Sequence, residues 1–198
     1  IERALAELSH WRAAGHDFSV AVNISARLLT DLDLPEFIAE TLSLHEIPAS
    51  RLTVEVTEST IMADPKRALD ILGRLRRTGI SLAVDDFGTG YSSLSYLRRI
   101  EADELKIDKS FVLQMGLDDN SAIIVRSTVE LGHSLGLAVT AEGVEDLPTL
   151  EALRALGCDR LQGFYLSPPL SASAFETWLR NRPTTFDQVL VALEGGAE

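Results

Sequence analysis

A chain of 198 residues with 45% hydrophobic and 24% charged side chains is long enough for one domain with a substantial core. Its formal net charge of −12 argues against non-specific contact with the backbone of DNA or RNA, so an anionic substrate would need local positive charge from metal ions or a placed lysine. No apolar run reaches membrane-spanning length, the first residues do not read as a signal peptide, and the single cysteine, Cys158, excludes an intrachain disulfide; together these predict a cytoplasmic protein.

Apolar residues at helical spacing, with Leu5, Leu8 and Trp11 on one side, predict a helix over 1–14 that ends at Gly15. The run 19–25 predicts a buried strand ending in Asn23 and Ser25. A helix follows over 35–44, then a strand over 52–58 bearing Glu55 and Glu58. Residues 65–77 predict a helix with Arg74, Arg76 and Arg77 in its last turn, where the helix dipole favours cations. The next strand, 81–86, runs Ser-Leu-Ala-Val-Asp-Asp and leads into the Phe87-Gly88-Thr89-Gly90 loop. A short helix is expected over 92–98, a strand bearing Lys106 and Asp108 over 104–108, and a long helix over 120–135. A strand over 137–142 ends in Glu142, with Glu145 just beyond; a helix over 147–156 precedes a strand over 160–165 containing Gln162. The last helices are expected over 173–180 and 186–193, and no repeat is visible beyond the alternation itself.

Alternating strands and helices predict a parallel sheet with right-handed crossovers. An open doubly wound sheet and a β/α barrel both fit. The barrel is favoured because polar residues recur at the C-terminal strand ends: Asn23, Glu55, Asp85 with Asp86, Lys106, Glu142 and Gln162. Carboxylates plus an amide describe a hard-cation site for Mg²⁺, Mn²⁺ or Ca²⁺; none of His10, His16, His45 and His133 lies at a strand end, which disfavours zinc. Successive strand residues normally face opposite ways, but at a strand's last residue Asp85 and Asp86 could both reach one site. Two tandem acids that could share ions suggest two-metal hydrolysis of a phosphoester, with Lys106 orienting or deprotonating water or neutralising phosphate. Glu58 is expected to support the loop at 87–93. An acidic solvated turn at 85–86 and an ordinary salt-bridge lysine at 106 are the bland alternatives.

These motifs carry a family resemblance. Asn23-Ile24-Ser25, Glu55-Val56-Thr57-Glu58, the run from Asp85 to Leu94, Leu105-Lys106-Ile107-Asp108, Ala141-Glu142-Gly143-Val144-Glu145 and Gln162-Gly163-Phe164 together resemble an EAL domain, the bacterial phosphodiesterase that opens cyclic di-GMP to linear pGpG. The resemblance covers about residues 1–180, with 181–198 as a tail. It implies a TIM-like β/α barrel with six of eight strands in this chain. It implies that Asn23, Glu55 and Asp85 ligate one Mg²⁺ or Mn²⁺, that Asp85, Asp86 and Glu142 ligate a second, and that Lys106 activates the water between them. It further implies that Glu58 holds the loop from Asp86 to Ser93, and that Gln162 and Glu145 lie near substrate or support the metal shell. A homodimer and fusion to GGDEF or sensory domains are expected on the same ground. The Glu-Ala-Leu signature strand is not in this sequence, so the chain is expected to be a fragment, impaired and self-associating by itself. A dinucleotide receptor that binds without cutting is the alternative of the same fold; an enolase-type barrel would explain the acids and the lysine but not the Asp-Asp-Phe-Gly-Thr-Gly loop.

Overall fold

The computed structural model describes residues 1–90, 94–181 and 189–190. The chain divides into two compact units, Ile1–Glu104 and Leu105–Glu198.

In the first unit, Leu5, Leu8 and Trp11 form the buried stripe of α1 (Glu2–Ala13). Gly15, at φ 90, ends it by donating its N–H to Arg12 O. Then come β1 (Val20–Asn23), α2 (Leu34–Leu44), β2 (Leu52–Thr57), α3 (Glu58–Ala63), α4 (Pro65–Arg77), β3 (Ser81–Phe87) and α5 (Leu94–Ile100). The strands pair in the order β1-β2-β3 and both pairings are parallel. Leu52, Val54 and Val56 of β2 and Leu82 and Val84 of β3 are buried, as are Ile71, Leu72 and Leu75 of α4. Burying such side chains contributes about 1.5–3 kcal/mol each, which is why these strands read as apolar runs.

The second unit completes β4 (Glu104–Ile107) and continues with α6 (Lys109–Gln114), α7 (Asp119–Ser134), β5 (Ala138–Ala141), α8 (Leu147–Ala155), β6 (Arg160–Gln162), α9 (Ala172–Asn181) and β7 (Val189–Leu190). β5, β6 and β7 pair in that order, again in parallel. Its core joins Ile107, Val112, Val125, Val129, Val139, Ala141, Val144, Leu150, Leu153 and Leu161. Gly132 lets α7 lie close on β5: a Cβ there would stand 2.3 Å from Val139 Cγ2.

The six expected strands are present in their expected order. Three expectations change. β1 is not buried: its residues alternate between half-buried and exposed, because β2 covers one side only and β1 is an edge of its unit's sheet. Glu58 does not end a strand but opens α3, because Thr57 Oγ1 accepts the Thr60 N–H and caps a helix there. Of the helix expected over 186–193, residues 189–190 form β7 and the rest lies outside the described residues, as do positions 92 and 93 of the expected short helix. No helix among the described residues is long and apolar enough to cross a membrane.

Candidate metal centre and active-site residues

Register fixes the first group of side chains. Asn23 pairs with Glu55 across β1 and β2, and Glu55 pairs with Ala83 across β2 and β3. Asp85 lies two residues beyond Ala83, so Asn23, Glu55 and Asp85 share one face of this three-stranded sheet. Asn23 Nδ2 donates to Glu55 Oε2 at 3.1 Å, which commits the amide nitrogen and leaves Oδ1 as the amide's ligand atom. Glu55 and Asp85 are both 7% exposed. Carboxylates withdrawn so far from water need cations or donors around them.

Asp86 should point to the opposite face, and the backbone prevents that. It has φ 54, the left-handed region, at the end of β3. The turn is closed by Thr89, whose N–H and Oγ1 both donate to Asp86 O, at 3.3 and 2.9 Å. The twist brings an oxygen of Asp86 within 4.8 Å of one of Asp85, and the Asp86 N–H donates to Asp85 Oδ1 at 3.0 Å. Glu58 lies against the same loop: its Oε2 is 3.1 Å from where a Cβ on Gly90 would stand. Positions 91–93 of that loop lie outside the described residues.

The second unit holds the other expected residues. Lys106 on β4 is buried, its side chain 4% exposed, with Nζ 2.6 Å from Glu142 Oε1. Glu142 follows β5 directly, and its N–H donates to Ile107 O at 3.2 Å. Gly143, at φ 75, turns the chain where a Cβ would strike Lys109 Cβ at 2.6 Å. Gln162 O accepts the Val144 N–H at 3.0 Å, and Val144 O accepts the Tyr165 N–H at 2.9 Å. Gly163 permits this seam, because a Cβ on it would fall 2.2 Å from Val144 N and O. Gln162 is half-buried and Glu145 exposed. Gly143 and Gly163 hold Glu142 and Gln162 in place; a glycine following each polar strand end was the sequence signal for them.

Oxygen donors alone, from carboxylates and one amide, match the preference of Mg²⁺ or Mn²⁺, so the residues present fit such ions. The one cysteine does not join them. Burial pushes the Cys158 thiol up to about 11, against weaker lowering by backbone hydrogen bonds.

The EAL domain family profile matches residues 1–169. The bifunctional diguanylate cyclase/cyclic di-GMP phosphodiesterase MucR of Pseudomonas aeruginosa is 43% identical over 173 residues, 87% of this chain and 25% of that protein. A solved structure described as the PaMucR phosphodiesterase in complex with c-di-GMP superposes with TM-score 0.84 at 42% identity, over 88% of this chain and 71% of that one. The EAL domain of Mycobacterium smegmatis DcpA superposes with TM-score 0.85 at 37% identity, over 90% and 81%. The chain spans only 23% to 25% of the length of the first curated relatives it matches. The fold is accordingly the α/β, TIM-like β/α barrel of these neighbours. On these matches and on the strand-end residues behind them, the chain belongs to the EAL domain family.

Proposed function

We propose that this chain carries the catalytic residues of a phosphodiesterase that hydrolyses cyclic di-GMP to linear pGpG with two Mg²⁺ or Mn²⁺ ions. The observation that carries the reading is the left-handed Asp86, which turns two consecutive aspartates towards one another at a strand end. A solvated acidic turn would not bury Asp85 to 7% exposure beside Asp86. In this reading Asn23, Glu55 and Asp85 hold one ion, and Asp85, Asp86 and Glu142 the other. When bound, the ions supply positive charge at the scissile phosphate and lower the pKa of water beside it.

The chain's own side chains do the remaining work. Lys106 positions the attacking water and assists its proton transfer. The water oxygen forms a bond to phosphorus, a P–O3′ bond breaks, and the ribose 3′-oxygen leaves with a proton to give a linear dinucleotide with a 5′-phosphate. Glu58 keeps the loop after Asp86 in place by lying against Gly90. Gln162 and Glu145 line or support the substrate position. Cytoplasmic location, a homodimer and a neighbouring GGDEF or sensory domain belong to the same proposal; the name of MucR joins a cyclase to a phosphodiesterase activity in one chain.

The test is turnover of cyclic di-GMP by the purified protein with Mg²⁺ or Mn²⁺, beside Asp85→Asn and Glu55→Gln. Both substitutions should abolish hydrolysis and leave the circular dichroism spectrum unchanged. Parent-like turnover by either variant overturns the ligand assignment. Tight binding of cyclic di-GMP without turnover by the parent would make the chain a receptor instead.

A further inference from the structure

Two stretches of the chain repeat one arrangement around different side chains. In the first unit Asp103 holds Leu82: its N–H donates to Leu82 O at 2.8 Å and its Oδ2 accepts the Leu82 N–H at 2.9 Å. The same Oδ2 accepts from the guanidinium of Arg76, in the last turn of α4. In the second unit Asp159 holds Val139 in the same way, donating its N–H to Val139 O at 3.0 Å and accepting the Val139 N–H on Oδ2 at 2.7 Å. Here the place of Arg76 is taken by His133, in the last turn of α7, with Nε2 3.0 Å from Oδ2.

The spacing repeats as well. Arg76 and His133 each stand six residues before the strand residue that is held. Three residues after Leu82 comes Asp85, and three after Val139 comes Glu142. The next residue is left-handed in both, Asp86 at φ 54 and Gly143 at φ 75. Three residues after Asp103 comes Lys106, and three after Asp159 comes Gln162. A parallel strand's register decides how far its last side chain reaches, and a slip of one residue would turn that side chain to the other face.

The geometry points to Asp103 and Asp159 as positioning residues, paired clamps that fix the strand carrying Asp85 and the strand leading into Glu142 at the height where those carboxylates can ligate. The inference rests on the metal-dependent reading above and adds residues that touch neither metal nor substrate. A carboxylate oxygen that accepts from one backbone N–H and pairs with one side chain at a helix end suits the task, because hydrogen bonds to an ionised acceptor are charge-assisted and directional. Groups that bond a metal ligand directly commonly alter affinity by about 10- to 100-fold, and clamps that act through three residues of strand belong at the low end of that range.

The experiment titrates MnCl₂ into the purified protein by calorimetry and follows amide hydrogen exchange without metal, in the parent, Asp159→Asn, Asp103→Asn, His133→Ala and His133→Arg. Asp159→Asn should speed exchange over 139–142 ahead of the rest of the chain, and weaken Mn²⁺ binding about 10-fold. His133→Ala should shift both in the same direction by less, and it carries the test if Asp159→Asn does not fold. His133→Arg copies the cation of the first clamp and should keep parent affinity within about twofold. A folded Asp159→Asn or His133→Ala with local exchange and Mn²⁺ affinity at parent values, and only a lower melting temperature, overturns the proposal. Faster exchange over 139–142 in Asp159→Asn, beside a parent that binds no Mn²⁺, would support the clamp and sink the metal reading.

Discussion

Asp86 is the residue whose conformation cost is clearest. A left-handed non-glycine residue costs about 1–2 kcal/mol, less for aspartate and asparagine, whose short polar side chains bond locally. Asp86→Asn should therefore keep stability within about 0.5 kcal/mol and lose ion affinity, whereas Asp86→Val should lose about 1–2 kcal/mol as well. Urea unfolding beside Mn²⁺ titration separates the two; an Asp86→Asn protein with parent affinity would remove Asp86 from the ligand set. Lys106 is the second case. Its Nζ lies 2.6 Å from Glu142, a proposed metal ligand, and its side chain has almost no exposure. Lys106→Ala should lose about 10²–10⁴ in kcat while KM stays near the parent value, the usual worth of acid–base assistance. A large rise in KM with kcat intact would recast Lys106 as a phosphate clamp.

At the scale of elements, helix ends explain what the chain's periodicity hides. α3 and α6 are six residues each, too short for an apolar stripe to show, yet both begin on a legible cap. Asp108 Oδ1 accepts the Ser110 N–H at 3.0 Å at the start of α6, as Thr57 does at the start of α3. At the other end of α2, Glu46 occupies the left-handed position after the helix at φ 54, where Gly15, Gly79, Gly136 and Gly157 serve after other helices. Its N–H donates to Ser43 O at 3.1 Å and the following Ile47 N–H to Leu42 O at 3.0 Å. Glu46→Gly keeps those bonds and removes the Cβ penalty, so the protein should gain about 0.5–1 kcal/mol, a rise of roughly 1–4 °C in Tm. A lower Tm would mean the Glu46 side chain contributes more than its backbone costs.

The clamp between helix and strand adds a pH dependence. Burial tends to raise the Asp159 carboxyl, but the Val139 N–H and His133 hydrogen bonds outweigh it and hold the group below the ordinary aspartate range. A carboxyl lowered on folding stabilises the protein above its unfolded pKa, near 4, and that stabilisation is lost as pH falls through the folded value. Asp159→Asn should thus lower Tm at pH 7, with the gap to the parent closing below about pH 4. A gap that stayed constant down to pH 3 would show that the asparagine loses geometry rather than charge.

For the whole molecule, the alternation of apolar runs and helical stripes carried the fold, because β2, β3, β4 and β5 bury most of their residues, whereas β1 and β6 are only partly covered. For the proposed site the sequence offered residue type near strand ends: Asn23, Glu55, Asp85 and Lys106 lie on β1, β2, β3 and β4 and Glu142 directly after β5, whereas Asp86 owes its direction to a left-handed backbone that alternation does not foretell. The Asp103 and Asp159 clamps were not legible, since one uses arginine and the other histidine, and only backbone partners reveal that they are equivalent. Net charge is the other property that belongs to the chain as a whole. At −12 its field draws divalent cations and repels a dianionic dinucleotide at long range. Salt screens that repulsion over about 8–10 Å, while charges close inside a partly buried site are screened much less. KM for cyclic di-GMP, measured at fixed free Mg²⁺, should therefore stay level or fall between 50 and about 200 mM NaCl. Proteins that hold phosphates with exposed lysine and arginine lose affinity over the same range. A KM rising threefold or more, on the order expected for such contacts, would mean that surface cations rather than strand-end carboxylates and their ions capture the substrate, and the reading of the acidic site would fall with it.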